Sequence, residues 1–295
     1  MLTGLLFLLG AGIFWCIVGI CYEQLPGEKR STGAYMFGAG ILVNILQFII
    51  LRPPVVSMAE FWKVAMWLLP SGLCFFPILL FVKKAMMYGK AGGAWCIMQS
   101  AMFCPLLAML IFYGERLSTL AVVGIALLIA GIVCWGIGKK EEENTDPQAV
   151  PKSRKKFILY SLLAFAMTGL QQTLTLIPSK ISGIAPAAME WRVIILQLPM
   201  FLWIVPCIKY REFPRKKHIR FSFWYAIAAV GGEILFFMGI DALNKIKLSG
   251  LAYPAALNCS IVLFALYCRF FRHQKFTPVE LAGLVLTVTG IFFLL

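Results

Sequence analysis

Three ionisable residues lie inside long apolar stretches of the sequence. They are Glu190, Arg192 and Glu233. A charged side chain at the centre of a bilayer costs at least about 2.5 kcal/mol, so such residues normally face the interior of a helix bundle or a watery cavity. These three side chains are therefore the first candidates for binding a solute or an ion.

Helix geometry predicts that two of these charges can meet. At 1.5 Å per residue, Glu233 lies about 10 Å from the end of its apolar segment at Ile240, and Arg192 about 12 Å from the start of its own at Ile184. We expect those two ends on the same side of the membrane. Glu190 and Arg192, two residues apart, point to nearly opposite sides of a helix. The Glu233–Arg192 pair would either line a solute path or hold two helices together.

Four side-chain amides also lie within apolar stretches, and an amide in lipid needs a hydrogen-bond partner. They are Gln47, Gln99, Gln197 and Asn258. Two interpretations stay open: the amides join neighbouring helices, or they line a cavity between them.

Aromatic residues supply the remaining candidates, because their rings can stack on a flat or cationic solute. The candidates are Trp15, Trp95, Trp191 and Tyr253. Tryptophans in membrane proteins also serve as interfacial or packing residues, and that alternative applies to most of the eight here.

The sequence does not predict an enzyme, a metal site or a cofactor. His218 and His273 lie in basic loops, away from any cluster of carboxylates. No Gly-x-x-x-x-Gly-Lys-Ser/Thr loop that would cradle a nucleotide phosphate occurs. Transport by this chain, if it occurs, is therefore expected to be secondary or facilitated.

Composition explains which elements must position these side chains. The 295 residues are 61% hydrophobic and 14% charged, with a mean hydropathy of +0.85. This is too little polar material to cover a soluble globule, so we predict a multi-pass protein of the cell membrane. The net charge of +14 resides in short segments between apolar runs, which favours lipid headgroups over nucleic acid as its partner. The nine cysteines lie mostly within the apolar runs, as small apolar fillers.

Ten apolar segments are long enough to cross about 30 Å of hydrocarbon. They are Leu2–Cys21, Gly33–Leu51, Val64–Val82, Ala91–Tyr113, Thr119–Ile137, Phe157–Ile177, Ile184–Ile208, Phe221–Ile240, Leu248–Cys268 and Pro278–Leu295. No basic region precedes the first segment, so we interpret it as a helix and not as a signal peptide.

The ten segments form two similar halves. The charged, proline-bearing stretch 139–156 predicts a flexible linker between residues 1–138 and 157–295. Gln47 matches Gln197 at a spacing of 150, and Gln99 matches Asn258 at 159. Because each half has five segments, the second must enter the membrane from the opposite side, giving two inverted repeats.

A glycine pattern at the end of each half identifies a family. Gly124 and Gly131 lie two helical turns apart, and Gly283 and Gly290 repeat that spacing. Such a stripe in lipid predicts a helix-packing face. The run Gly-Ile-Ala-Leu-Leu-Ile-Ala-Gly-Ile-Val at 124–133, preceded by Gly114-Glu115, resembles the end of an EamA-type repeat of the drug/metabolite transporter superfamily. The recurrence in a ten-segment layout extends the resemblance over nearly the whole chain.

The resemblance implies a membrane transporter, with two departures at acidic positions. The related small multidrug resistance proteins use a carboxylate in their first span for proton coupling, whereas here the first acid is Glu23, at the end of that segment. Glu115 matches the Gly-Glu of the EamA pattern, but its counterpart in the second half is Gln274. We therefore interpret Glu115 as a hairpin or helix-cap residue.

Loop charges predict the orientation. The odd-numbered loops contain 20 Lys and Arg residues and the even-numbered loops contain six. Since basic residues accumulate in cytoplasmic loops, this asymmetry predicts that both termini lie outside. The superfamily resemblance implies both termini inside, so the two criteria disagree. We follow the charge count, because the opposite orientation would require many misplaced basic residues.

These observations predict an all-α membrane protein with ten transmembrane helices in two inverted five-helix repeats. We expect it to move a small organic metabolite or drug-like solute by alternating access, with a proton as the candidate coupling ion and membrane lipids as neighbours. The alternatives are a permease for sugar uptake and a scaffold or lipid-binding protein without transport.

Overall fold

The structure, a computed structural model, describes residues 2–25, 29–89, 91–115, 117–137, 153–273 and 276–294. Every regular element within these residues is a helix. The α-helices are α1 (Leu2–Gln24), α2 (Lys29–Leu51), α3 (Met58–Leu73), α4 (Phe75–Tyr88), α5 (Ala91–Gln99), α6 (Phe103–Tyr113), α7 (Thr119–Ile137), α8 (Arg154–Leu176), α9 (Pro186–Met189), α10 (Arg192–Gln197), α11 (Ile204–Tyr210), α12 (Lys216–Asn244), α13 (Ala252–Phe270) and α14 (Pro278–Leu294).

These helices group into the ten apolar segments of the sequence. The third segment is α3 with α4, the fourth is α5 with α6, and the seventh is α9 to α11; α1, α2, α7, α8, α12, α13 and α14 form the others in chain order. Among the described residues, eight segments are long and apolar enough to cross a membrane, and shorter apolar stretches lie at Thr119–Gly131 and Pro278–Gly290. The chain is an all-helical, multi-pass membrane protein.

Several predicted segment boundaries were wrong because polar residues continue the helices. The eighth segment, predicted to end at Ile240, extends through Asp241 to Asn244. The sixth begins at Arg154, inside the predicted linker, where the Ser153 hydroxyl accepts a hydrogen bond from the backbone N–H of Lys156. This is an ordinary serine N-cap. The remainder of the predicted linker, residues 139–152, lies outside the described residues.

Proline breaks the helices of three segments. A proline has no N–H, and its ring clashes with the carbonyl four residues earlier. Pro77 therefore accounts for the end of α3 at Leu73, and Pro105 for the short 3₁₀ helix Ser100–Met102 between α5 and α6. Pro199 opens the 3₁₀ helix Leu198–Trp203 between α10 and α11. Three segments are thus interrupted in their interior.

The packing of the helices follows a consistent pattern. The first segment, α1, packs against α12 and α13. The sixth, α8, packs against the third segment (α3 and α4) and the fourth (α5 and α6). The second segment contacts α12 and the seventh segment, and α7 packs against α14. The first and sixth segments therefore occupy central positions, whereas α7 and α14 pair with each other.

The glycine stripes form the contact between α7 and α14, which confirms the predicted packing face. A Cβ atom added to Gly124 would lie 2.9 Å from the carbonyl oxygen of Gly290, and one added to Gly131 would lie 2.8 Å from that of Gly283. Only glycine allows the two backbones to approach this closely.

Candidate functional site

A cavity of about 80 Å³ lies among seven of the ten segments. That is room for several water molecules or for part of a small solute. Its polar and aromatic lining residues are Trp15, Tyr22, Trp95, Gln99, Thr168, Gln171, Gln172, Gln197, Tyr225, Glu233 and Tyr253. Six of the eleven candidate residues named from the sequence line this cavity, namely Trp15, Trp95, Gln99, Gln197, Glu233 and Tyr253.

The helix breaks position two of the lining amides. Gln99 is the last residue of α5 and precedes the 3₁₀ helix Ser100–Met102. Gln197 is the last residue of α10 and precedes the 3₁₀ helix Leu198–Trp203. Irregular backbone at membrane depth is tolerated where it is enclosed by protein or lines a cavity. Both amides therefore lie where the regular hydrogen-bond ladder of their segment is interrupted.

Glu233 is the acidic residue of the cavity. It lies in the interior of α12 and its residue surface is 6% exposed. The neighbouring Gly232 lets the indole of Trp15 approach, since a Cβ atom there would lie 2.9 Å from the indole nitrogen. Among the described residues no cation forms an ion pair with Glu233. A buried carboxylate without such a partner needs a proton or a bound cation to offset its desolvation.

Aromatic rings form much of the wall. The rings of Trp15 and Tyr253 are nearly parallel, at 17°, with centroids 6.2 Å apart, and Phe236 contacts both. Further along the first and eighth segments, Tyr22 and Tyr225 stack and their hydroxyl oxygens lie 3.3 Å apart. The cavity thus places one carboxylate close to the faces of several aromatic rings.

Sequence reasoning missed the contribution of the sixth segment. Thr168, Gln171 and Gln172 all line the cavity. The Gln171 amide donates to the Thr175 hydroxyl at 3.1 Å, and the Ser71 hydroxyl donates to the Gln171 carbonyl at 2.8 Å. The signal was present, because Thr-Gly-Leu-Gln-Gln-Thr at 168–173 is an unusually polar run inside an apolar segment.

Three lining residues have a polar atom without a hydrogen-bond partner among the described residues. They are Trp95 at its indole nitrogen, Thr168 at its hydroxyl and Gln172 at its amide oxygen. All three residues are buried, with 2–4% of their surface exposed. Buried polar groups are normally paired, so unpaired ones beside a cavity indicate a place where a ligand or water supplies the partner.

The predicted Glu233–Arg192 pair was wrong. Arg192 instead binds Asp241, with Nη1 to Oδ1 at 2.8 Å and Nη2 to Oδ2 at 2.7 Å. The prediction ended the eighth segment at Ile240 and so left Asp241 out of consideration. Asp241 lies eight residues after Glu233, about 12 Å closer to the end of α12. Its side chain is 48% exposed, so pairing there costs less desolvation than pairing at Glu233.

Glu190 and Arg192 lie outside the main cavity, the one that contains Glu233. Both line a second cavity of about 260 Å³, together with Asp241 and apolar side chains. Glu190 lies in the exposed turn between α9 and α10, whereas the Arg192 guanidinium lies 4.7 Å from the centre of the Phe237 ring. Arg192 is therefore satisfied by its surroundings, and the prediction that it shares a site with Glu233 fails.

The other three predicted residues also lie away from the main cavity. Gln47 is fully buried, and its amide nitrogen and oxygen lack partners among the described residues. Asn258 donates to the Pro254 carbonyl on its own helix at 2.7 Å. Trp191 donates to the Pro54 carbonyl at 2.9 Å and packs between Phe48 and Phe61. Positions that the sequence matched between the two halves therefore do not share one environment: Gln197 and Gln99 line the cavity, but Gln47 and Asn258 do not.

Glu115 joins the two halves of the chain, which goes beyond the predicted hairpin or cap role. One carboxylate oxygen lies 2.6 Å from Lys180 Nζ and accepts from the Ser249 hydroxyl, and the other accepts from the Gly250 N–H at 2.8 Å. The contact with Gly250 does cap the start of the ninth segment. Lys180 also donates to the Asn244 side chain at 2.9 Å, so four chain segments meet here.

Within the described part of the chain, no three His, Cys, Asp or Glu side chains are grouped so as to hold a metal ion. His218 lies at the start of α12, where its Nδ1 accepts a hydrogen bond from the Arg215 N–H at 2.8 Å. That contact is a helix cap.

No protein-family model and no curated protein matches the chain. The chain is similar in fold to a solved structure that is described as a crystal structure of a protein. The two superpose with a TM-score of 0.60 at 14% sequence identity, over 98% of this chain and 95% of the other. At that identity the likeness concerns the fold alone.

Proposed function

We propose that the protein is a secondary transporter of the cell membrane that moves a small organic solute by alternating access. The observation that carries this proposal is the cavity between the two halves of the chain, which contains a buried carboxylate without a cationic partner among the described residues. A scaffold or lipid-binding protein has no need for that arrangement, since the desolvation of Glu233 would bring no benefit.

We further propose ten transmembrane helices in two inverted five-helix repeats, 1–138 and 157–295. The packing pattern supports this. The counterpart of each segment is the one five places later or earlier in the chain. The first segment packs against the eighth and ninth, and its counterpart, the sixth, packs against the third and fourth, which are the counterparts of the eighth and ninth. The contact between α7 and α14 maps onto itself. An approximate two-fold axis in the membrane plane would produce these equivalences.

The position of the cavity fits such a transporter. Its lining comes from both members of three counterpart pairs: the first and sixth, the third and eighth, and the fourth and ninth segments. Transporters built from inverted repeats bind their substrates at the repeat interface, beside interrupted helices. Gln99 and Gln197, at two of the helix breaks, are suited to hydrogen-bond a solute there.

Two ion pairs between the halves support alternating access. Glu115 binds Lys180 at 2.6 Å, and Glu23 binds Arg272 at 2.6 Å. In the proposed ten-segment topology the first pair lies on the side of the chain termini and the second on the opposite side. Opening either side in turn would break one pair and keep the other. A proton on Glu233 is the coupling ion that we propose, because it would neutralise the carboxylate when no cation is bound.

Membership of the EamA-type transporters remains a proposal that rests on the glycine pattern at 124–133 and its recurrence at 283–290. Uptake of a sugar is the second candidate function. Four glutamines of the lining favour it, because amides pair well with hydroxyl groups: Gln99, Gln171, Gln172 and Gln197.

Reconstitution into liposomes tests the proposal. A pH-sensitive dye inside the vesicles should report proton movement when amines, amino acids, sugars or organic acids are added one at a time. Labelled solutes that give a signal should then accumulate with a pH gradient and equilibrate without one. Flux of a sugar without proton movement would favour the permease alternative. Absence of flux for every class, with correctly folded protein, would favour the scaffold.

A further inference from the structure

We infer that the solute is a small organic cation with a single positive charge, an amine or a quaternary ammonium compound, which binds between Glu233 and the rings of Trp15, Tyr22, Trp95, Tyr225 and Tyr253. The inference rests on the proposed function and names the substrate class of the same cavity.

The charge balance of the cavity is its first support. Among the described lining residues Glu233 is the one acid, and none is Lys, Arg or His. Arg192, the one basic residue within the apolar segments predicted from the sequence, is held by Asp241 in a different cavity. An anion in the main cavity would face an uncompensated carboxylate, and the acidic group of a zwitterion would find no counter-charge. A monovalent cation, by contrast, neutralises Glu233.

The aromatic lining is the second support. Trp15 and Tyr253 present nearly parallel rings, and Tyr22 stacks with Tyr225 while meeting Trp95 edge to face. Several rings beside one carboxylate form the arrangement that recognises alkylated ammonium groups. The described Lys and Arg side chains that stack on aromatic rings use other rings, such as Tyr160 and Phe237. The π faces of the cavity are therefore not used by a cation of the protein.

The third support concerns the rest of the solute. Trp95, Thr168 and Gln172 each have a polar atom without a partner among the described residues. A cation that also has a neutral hydroxyl or carbonyl group would supply hydrogen-bond partners, and a cation with only alkyl substituents would not. We therefore expect hydroxylated amines to bind better than alkyl amines of the same size.

A matched set of three probes separates charge from shape. Choline, its neutral carbon isostere 3,3-dimethyl-1-butanol and its zwitterionic relative betaine differ mainly in charge. Titration of the detergent-purified protein, followed by tryptophan fluorescence and by thermal unfolding, should give an affinity for choline at least about tenfold higher than for the other two. Glu233→Gln should lower the affinity for choline by at least about tenfold. Glu190→Gln, the same change at an exposed carboxylate outside this cavity, should leave it unchanged.

A second series keeps the inference testable if Glu233→Gln folds poorly. Trp15→Phe retains an aromatic face and Trp15→Leu does not. Choline affinity should fall in the order wild type, Trp15→Phe, Trp15→Leu, while any binding of the neutral isostere should change less. Equal affinity for the neutral isostere, unchanged choline affinity in Glu233→Gln, or no binding of choline and of smaller hydroxylated amines would overturn the inference.

These experiments distinguish a failure of the cation-binding inference from a failure of the proposed transport function. Choline binding without flux in liposomes would leave the cation site standing and remove the transport function. Proton-coupled flux of sugars or organic acids, with no response to amines, would keep the transport function and overturn the cation site.

Discussion

The guanidinium group of Arg192 binds the carboxylate of Asp241 through two parallel hydrogen bonds, at 2.8 and 2.7 Å. It also donates from Nε to the Met189 carbonyl at 2.7 Å. The pair joins the seventh segment to the end of the eighth. Because the pair satisfies Arg192, Glu233 remains in the cavity without a counter-charge from any described residue, and the two acidic residues of α12 have different roles.

Replacing Asp241 should destabilise the protein more than removing the pair altogether. Asp241→Asn removes two charge-assisted hydrogen bonds and leaves the buried guanidinium without a counter-charge. We expect a loss of about 1–3 kcal/mol, at the lower end because Asp241 is half exposed. The double variant Asp241→Asn with Arg192→Gln should recover part of that loss, as measured by thermal unfolding in detergent. A double variant less stable than Asp241→Asn would contradict this assignment.

Glu233 and Arg192 should act independently, because they do not form a pair. The change in unfolding temperature caused by Glu233→Gln should be the same in the wild type and in Arg192→Gln. A coupling free energy between the two substitutions larger than about 0.5 kcal/mol would contradict this independence and support the pairing predicted from the sequence.

Loss of Lys180 should be costly, since the side chain of Glu115 is only 2% exposed. Lys180→Met leaves that carboxylate without its cation, and removing one partner of a buried pair costs about 3–5 kcal/mol. Lys180→Met combined with Glu115→Gln should cost less, because the Ser249 and Gly250 groups can still bind the neutral amide. Unfolding of the three variants in mixed micelles measures the difference. Equal stability of Lys180→Met and the wild type would show that the pair is dispensable.

Gln47 and Gln197, which the sequence matched at a spacing of 150, should respond differently to the same change. Gln197→Met removes a cavity amide and should lower solute flux with little change in unfolding temperature. Gln47→Met removes an amide whose polar atoms lack partners among the described residues, so it should leave flux intact and leave stability equal or higher. Flux at matched protein levels and thermal unfolding, measured for both, provide the comparison. A loss of flux in Gln47→Met alone would reverse their roles.

Tight packing of α7 on α14 should make glycine substitutions there unfavourable. A Cβ atom at Gly131 would lie 2.8 Å from the Gly283 carbonyl, whereas at Gly93 the nearest atom would be 3.5 Å away, on Phe157. Gly131→Ala should therefore lower stability by about 1–3 kcal/mol. Gly93→Ala should be neutral or gain up to about 1 kcal/mol from helix propensity. Similar unfolding temperatures for the two variants would mean that the glycine contact does not hold the helices together.

The orientation can be tested with an impermeant thiol reagent in intact cells. The charge count predicts that Thr3→Cys is labelled from outside and Gln148→Cys is not, with the unsubstituted protein as the background control. Labelling of Gln148→Cys alone would support the opposite orientation. Labelling of both or of neither would contradict the ten-segment count.

The sequence by itself determined the class of the protein and its local elements. Apolar runs of about 20 residues, the glycine spacing and the placement of prolines are local signals, and each acts within one helix or on its immediate neighbour. They predicted an all-helical membrane protein, the packing face at Gly124 and Gly131, and the polar residues Glu233, Gln99 and Gln197 that line the cavity.

Only the tertiary structure decided which polar groups meet. A pairing between helices depends on their exact lengths, their rotation and their breaks, and none of these is encoded at a fixed spacing in the chain. Four more residues of α12 brought Asp241 to Arg192, and this left Glu233 to the cavity. Their spacing in the chain likewise predicted equivalent positions for Gln47 and Gln197. Gln197 lies at the break after α10 and lines the cavity, whereas Gln47 lies within the uninterrupted α2 and is buried in packed protein. Many distant contacts together determine the rotation and depth of each helix. Rotation and depth therefore decided which of the candidate polar residues line the cavity and which lie elsewhere.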